Sequence, residues 1–281
     1  MERVETKLFY EASGFETSSA DGSIARTIAI TNQKGGVGKT TTAINLSACI
    51  ASMGKKVLMV DMDPQGNATS GVGIEKLQIE NCVYDILVDG VDPRSVVRPG
   101  PVEGMEVIPS TLDLAAAEIE LASELSRENR LRSGLDALRM NYDFIFIDCP
   151  PALGLLTINS LCAADEALIP IQCEFYALEG LVYLLRTIQR VKQHVNPTLK
   201  IAGVLLTMFD VRTNLSKDVE AEVRREYPSM TFHTVIPRTV RLSEAPGFGK
   251  PIILYEPSSK GAWAYTELAK EVVTGGEERA G

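Results

Sequence analysis

A glycine-rich string, Lys34-Gly35-Gly36-Val37-Gly38-Lys39-Thr40-Thr41, lies between a β-branched run, Thr27–Thr31, and a helical pattern starting at Thr42. Strand, glycine loop and helix in that order constrain the fold more than any other feature of the chain. Glycines let the backbone curl until several N–H groups face one concavity. That concavity, at a helix N-terminus, favours a polyphosphate. On this reading Lys39 reaches the β- and γ-phosphates and the Thr40 hydroxyl ligates Mg²⁺. The alternative is a plain glycine connection with solvated lysines. The common pattern has a glycine seven positions before the Ser/Thr, where this chain has Gln33, and a second lysine, Lys34, follows it. A cation there can neutralise charge that develops during phosphoryl transfer.

Apolar strand runs then alternate with helical patterns. The strands are expected near 27–31, 56–61, 105–109, 144–148, 166–171, 201–207 and 231–236, with helices over 112–123, 178–194 and 217–227. Runs apolar on both faces suit a sheet covered on both sides. The expected fold is therefore α/β: a doubly wound, mostly parallel twisted sheet with helices on both faces. In such sheets ligands sit at the carboxyl ends of strands. The chain reads as one domain over 25–274, with a flexible extension at 1–24 and a frayed tail at 275–281.

Two further motifs fall at strand ends. Val60 leads into Asp61-Met62-Asp63-Pro64-Gln65-Gly66-Asn67, where alternate residues put Asp61 and Asp63 on one side. Such carboxylates can hold a metal-bound water or orient an attacking one; the alternative is an Asp-Pro turn satisfying local N–H groups. The apolar run Phe144–Ile147 closes on Asp148-Cys149-Pro150-Pro151. An acid there reaches Mg²⁺ directly or through water.

The 281 residues are 45% hydrophobic and carry a net charge of −9, which argues against indiscriminate nucleic-acid binding by the whole surface. A local patch is still possible. From Arg212 to Lys260 basic residues slightly outnumber acidic ones, and Arg212, Lys217, Arg224, Arg225, Arg238, Arg241, Lys250 and Lys260 can contact phosphates without reading bases. Ordinary solvated charge is the alternative. Pro237, in the loop after the last strand, is a plausible apolar wall for a nucleotide base. The five cysteines form no C-x-x-C pair and read as free thiols in a reducing compartment. No apolar run approaches a membrane span, and the acidic N-terminus does not read as a secretory signal.

Taken together, Lys34–Thr41, Val60–Asn67, Asp148–Pro151, Leu206–Asp210 and Ile236–Ile252 resemble the ParA/Soj-type chromosome- or plasmid-partitioning ATPases. These belong to the deviant Walker A (phosphate-loop NTPase) superfamily that includes MinD. The resemblance runs from about Arg26 to about Val273. It implies ATP/ADP with Mg²⁺ and a homodimer formed face to face on ATP. It also implies non-specific double-stranded DNA bound by that dimer, and a ParB/Spo0J-type partner that stimulates hydrolysis. It implies a cytoplasmic, nucleoid-associated protein. It places Gly35, Gly36, Val37, Gly38, Lys39, Thr40 and Thr41 around the phosphates and Lys34 on the partner subunit's nucleotide. Thr40 falls on Mg²⁺, Asp63 on the attacking water and Asp148 on the Walker B position. Asp63 and Asp148 are grouped with Thr40 at the metal, and Met208, Pro237 and Arg238 fall at the base and ribose. Arg241, then Arg224, with Arg212 and Lys250, are the expected DNA contacts.

Three other readings compete. A MinD-like membrane ATPase needs a basic amphipathic C-terminal helix, whereas Glu267–Glu278 is acidic and short on apolar residues. An iron–sulfur carrier needs paired cysteines, and Cys149 has no obvious mate. A metabolic ligase or kinase needs an acceptor site, and none is visible.

Overall fold

The computed structural model describes residues 24–175 and 177–275. The expected extension, apart from its last residue, and all but the first residue of the expected tail lie outside the described residues. Eight strands form one sheet in the order β3-β4-β2-β5-β1-β6-β7-β8. They are β1 Arg26–Ile30, β2 Val57–Asp61, β3 Arg98–Pro99, β4 Met105–Ile108, β5 Phe144–Asp148, β6 Glu166–Gln172, β7 Lys200–Phe209 and β8 Thr231–Pro237. All pairings are parallel except β3 with β4. The sequence pattern misses β3 because two residues carry no periodicity; its proline is tolerated at a sheet edge.

The helices of nine residues or more are α1 Lys39–Ser52, α2 Leu155–Ala163, α3 Ala177–His194, α4 Asn214–Glu226 and α5 Lys260–Val273. Alternation along the strands divides the core. Ile28, Ile30, Met59 and Phe146 face the layer that holds residues of α1 and α5. Ala29, Leu58, Val60, Ile145 and Ile147 face the layer that holds residues of α2, α3 and α4. That two-sided burial is why the strands read as continuous apolar runs. The α4 pattern starts at Asn214, three residues before the expected Lys217, because the Thr213 hydroxyl caps it by accepting from Ser216 N.

The C-terminal helix is absorbed into this core. Leu268, Ala269 and Val272 of α5 are buried, so its apolar face is already covered. Among the described residues no helix is long and apolar enough to cross a membrane.

Candidate functional site: the phosphate loop and its carboxylates

The loop curls because Gly36 and Gly38 take positive φ, 76° and 90°, which side chains rarely adopt. Gly38 then serves as the N-cap of α1, which starts at Lys39. A Cβ on Gly35 or Gly36 meets no protein atom within 4 Å, so packing does not demand glycine at Gly35. The space beside these residues is a cradle that a side chain would invade. Among the described residues the N–H groups of Gly35 through Thr41 make no hydrogen bond outside α1. Orphan donors converging at a helix start suit an anion.

Side chains from neighbouring strands hold this curl. Thr207 of β7 points its hydroxyl at the Val37 carbonyl (2.8 Å) and the Ile171 carbonyl (3.0 Å). Asn32 donates to the Pro170 carbonyl at 2.7 Å and accepts from Lys34 N at 2.9 Å. In α1, Asn45 donates to the Thr41 carbonyl and accepts from Ile252 N at 2.6 Å. These three residues escaped sequence reasoning. The available signal for two of them was a polar residue closing an apolar strand run, Thr207 after Leu206 and Asn32 after Thr31.

Lys39 is buried, and its ammonium reaches back to the Lys34 carbonyl at 3.3 Å. Burial lowers its pKa, while Asp148, Cys149 and Asp63 pull it back up. Asp148 ends β5 fully buried, and neither carboxylate oxygen has a well-formed hydrogen bond. Burial, then the neighbouring Asp61, pushes its pKa well above the usual carboxylate range. The Thr40 hydroxyl lies near enough to favour the anion, as does Lys39. A buried carboxylate without donors is costly unless a cation or water completes it. Thr40 and Asp148 therefore fit a divalent cation whose remaining ligands are phosphate oxygens and water. Among the described residues no group of three or more His, Cys, Asp and Glu is placed to hold a metal.

The two acids at the end of β2, Asp61 within it and Asp63 just past it, separate in role. Asp61 is fully buried and its oxygens are committed: Asp63 N at 3.1 Å, Thr69 N at 2.8 Å and the Thr69 hydroxyl at 2.7 Å. Burial still raises its pKa to about 6. The protein's own donors take up the Asp61 oxygens, so of the two acids it is Asp63 that keeps an oxygen without a partner. The Thr69 hydroxyl also accepts from Ser110 N at 2.9 Å. Thr69→Ala should therefore cost about 2 kcal/mol, because it leaves the Ser110 amide unpaired in the core and takes one of two donors from Asp61 Oδ2. Urea unfolding with an unchanged m-value checks this, and Thr69→Ser should recover most of the loss. Asp63 is almost fully buried too, but it accepts one bond, from Gln65 N at 2.9 Å, on a single oxygen.

Lys34 sits at the open side of the loop, its ammonium 2.5 Å from Glu174. Both side chains are about half exposed, so the pair is weak and readily exchanged. Met208 takes φ 51°, an uncommon conformation for a side-chain-bearing residue, directly after Thr207. Phe209 registers with Pro237, and Arg238 N donates to the Phe209 carbonyl at 3.0 Å. Met208, Pro237 and Arg238 thus lie together at the strand ends next to the loop.

The expected basic contacts do not form one patch. Arg212, Arg241 and Lys250 are exposed in the segments after β7 and β8, Arg212 paired to Asp210 and Arg241 to Glu244. Arg224 is not with them. It lies at the other end of α4, bonded to Glu220 and to the carbonyls of Phe232 and His233. Its guanidinium staples the start of β8, and Arg225 is paired to Glu222 and Glu226. All five cysteines are buried, and burial pushes the Cys149 thiol up to about 12, which suits inert core sulfur.

A family model described as an AAA domain matches residues 25–201. The chain is 60% identical over 253 residues to the sporulation initiation inhibitor protein Soj of Bacillus subtilis, covering 90% of this chain and 100% of that one. It is 52% identical over 250 residues to the chromosome partitioning protein ParA of Myxococcus xanthus, covering 89% and 88%. Among solved structures it is similar to cobyrinic acid a,c-diamide synthase from Mycobacterium smegmatis with bound ATP analogue and magnesium. The TM-score there is 0.78 at 38% identity, covering 89% of this chain and 95% of that one.

Proposed function

The chain belongs to the ParA/Soj family of partitioning ATPases, and from that premise we propose that it is a DNA-segregation switch: an ATPase that dimerises on ATP and holds non-specific duplex DNA. A ParB/Spo0J-type partner that stimulates hydrolysis releases it, in a cytoplasmic, nucleoid-associated cycle. The observation that carries the nucleotide half is the pairing of an empty-handed amide cradle with an orphaned buried Asp148 beside Thr40. Related structures hold ATP analogue or ADP with magnesium, and the same pair of ligands fits here.

Each residue then has a task. The amides of 35–41 and the Lys39 ammonium grip the polyphosphate, and Lys39's lowered pKa is restored by the anion. Thr40 and Asp148 would hold Mg²⁺, which when bound would offset the phosphates' negative charge. Asp63 keeps an oxygen for the attacking water. Lys34 leaves Glu174 and reaches the partner subunit's nucleotide. Met208, Pro237 and Arg238 border the base and ribose. Arg241, Arg212 and Lys250 meet the DNA backbone, and two copies per dimer make that contact ATP-dependent.

The deciding experiment is retention on random-sequence duplex DNA with ATP, ADP or no nucleotide. Retention only with ATP supports the proposal; retention regardless of nucleotide, or none, rejects it. The diamide-synthase activity named for the structural neighbour would instead make ATP turnover depend on a carboxylic acid acceptor. The higher identity to Soj and ParA favours the segregation reading.

Lys34→Gln isolates the signature lysine. Nucleotide affinity should stay within a few-fold, since Lys39 and the amides remain. Partner-stimulated hydrolysis should fall on the order of 10²-fold, as for loss of one charge-stabilising donor. Single-turnover assays with and without partner separate the two effects, and undiminished stimulation removes Lys34 from the mechanism.

A further inference from the structure

A groove of about 460 Å³ runs between α3 and the end of α4, far from the phosphate loop in sequence, lined by Val182, Leu185, Arg186, Gln189, Arg190 and Tyr227. The five α3 residues recur at helical spacing and form one stripe beside the buried stripe Leu181, Leu184, Ile188 and Val191. The floor is apolar, and the rim carries two guanidinium groups one turn apart. Arg241, Arg212, Arg224 and Arg225 are all paired to carboxylates. Among the described residues Arg186 and Arg190 have no carboxylate within ion-pair distance. Glu222 and Glu226, in the last turns of α4 before Tyr227, are held by Arg225. In a chain of net charge −9, two neighbouring unpaired arginines over an apolar floor suit an acidic segment with large apolar side chains.

The chain contains such a segment. Leu8-Phe9-Tyr10-Glu11-Ala12-Ser13-Gly14-Phe15-Glu16 carries three aromatic rings, a leucine, two glutamates and no cation. The AAA-domain match begins at residue 25, so this stretch lies outside the shared domain. Its anchor is close by. Arg139 bridges the Ala25 carbonyl and the Asp165 carboxylate. Asn196, just past α3, donates to the neighbouring Ala164 carbonyl at 2.8 Å. Arg190 lies six residues before Asn196, about 9 Å along a helix. The spacer 17–23 spans up to about 25 Å when extended, enough to reach the groove.

We propose that the Leu8–Glu16 stretch docks in the α3/α4 groove of its own chain, its aromatic rings on Val182, Leu185 and Tyr227 and its glutamates on Arg186 and Arg190. The docking is intramolecular and needs no nucleotide, so it stands apart from the segregation proposal.

The test uses the full chain with the photo-crosslinker p-benzoylphenylalanine in place of Gln189. Irradiation should join position 189 to residues 8–16 within one chain, mapped by mass spectrometry, with a yield unchanged on dilution. Arg186→Glu with Arg190→Glu should lower that yield about tenfold, the loss of two modest ion pairs with added repulsion. Adding Glu11→Arg and Glu16→Arg to that variant should restore it, which a misfolded groove would not do. Crosslinks between two chains, crosslinks outside residues 1–23, no crosslink, or a yield indifferent to charge reversal would each overturn the proposal.

Discussion

Asp63→Ala is expected to lower ATP turnover by on the order of 10²-fold or more, the usual worth of a positioned proton acceptor, while ATP affinity changes only a few-fold. Affinity is spared because the amides of 35–41, Lys39, Thr40 and Asp148 stay in place. Turnover is lost because Asp63 has only one oxygen engaged, by Gln65 N, and so has one left for the attacking water. The proposed ATP dimer should therefore accumulate, visible by size-exclusion chromatography with ATP and Mg²⁺. Asp63→Asn separates charge from turn geometry, since an amide oxygen still accepts from Gln65 N. If Asn behaves as Ala, the charge is what turnover needs. Normal turnover in both variants, or loss of ATP binding, counts against the water-positioning role.

Arg241→Glu is expected to abolish most ATP-dependent DNA retention at moderate salt. Arg241 is half exposed, and its partner Glu244 lies one turn away at 2.9 Å. The substitution removes a cation and leaves two carboxylates facing the phosphates. A dimer carries the defect twice, so the loss is compounded. The slope of log affinity against log salt should shrink by about one per protomer. ATP affinity should be unchanged. Should ATP affinity fall while DNA binding holds, Arg241 serves the base pocket next to Pro237 instead.

The legibility of the site varied with how local its chemistry is. The phosphate loop, Thr40 and Asp148 were readable because a few contiguous residues encode each one and the flanking strand runs place it. Asp61 and Asp63 look alike in sequence. Only the fold shows Thr69 returning eight residues later to occupy Asp61. Arg224 and Arg241 likewise share a basic stretch, yet α4 carries the first to the opposite end of the sheet, where the carbonyls of β8 engage it. Their polar place after strand runs marks Thr207 and Asn32, but the carbonyls they hold, Val37 in the loop and Pro170 in β6, are far off in sequence and no one-dimensional pattern records them. β3 is too short to have a period at all.

The Thr207 bridge has a thermodynamic consequence. By fastening the Val37 carbonyl to β7, it settles the conformational entropy of the curl when the chain folds rather than when ligand arrives. A nucleotide meeting a rigid receptor loses little of its intrinsic affinity to ordering the loop. More of the interaction free energy is then available to bias whichever segments differ between the ATP and ADP forms. Thr207→Val should accordingly appear as a larger entropic penalty in calorimetric titrations with ADP, and as a blunted distinction between the two nucleotide states.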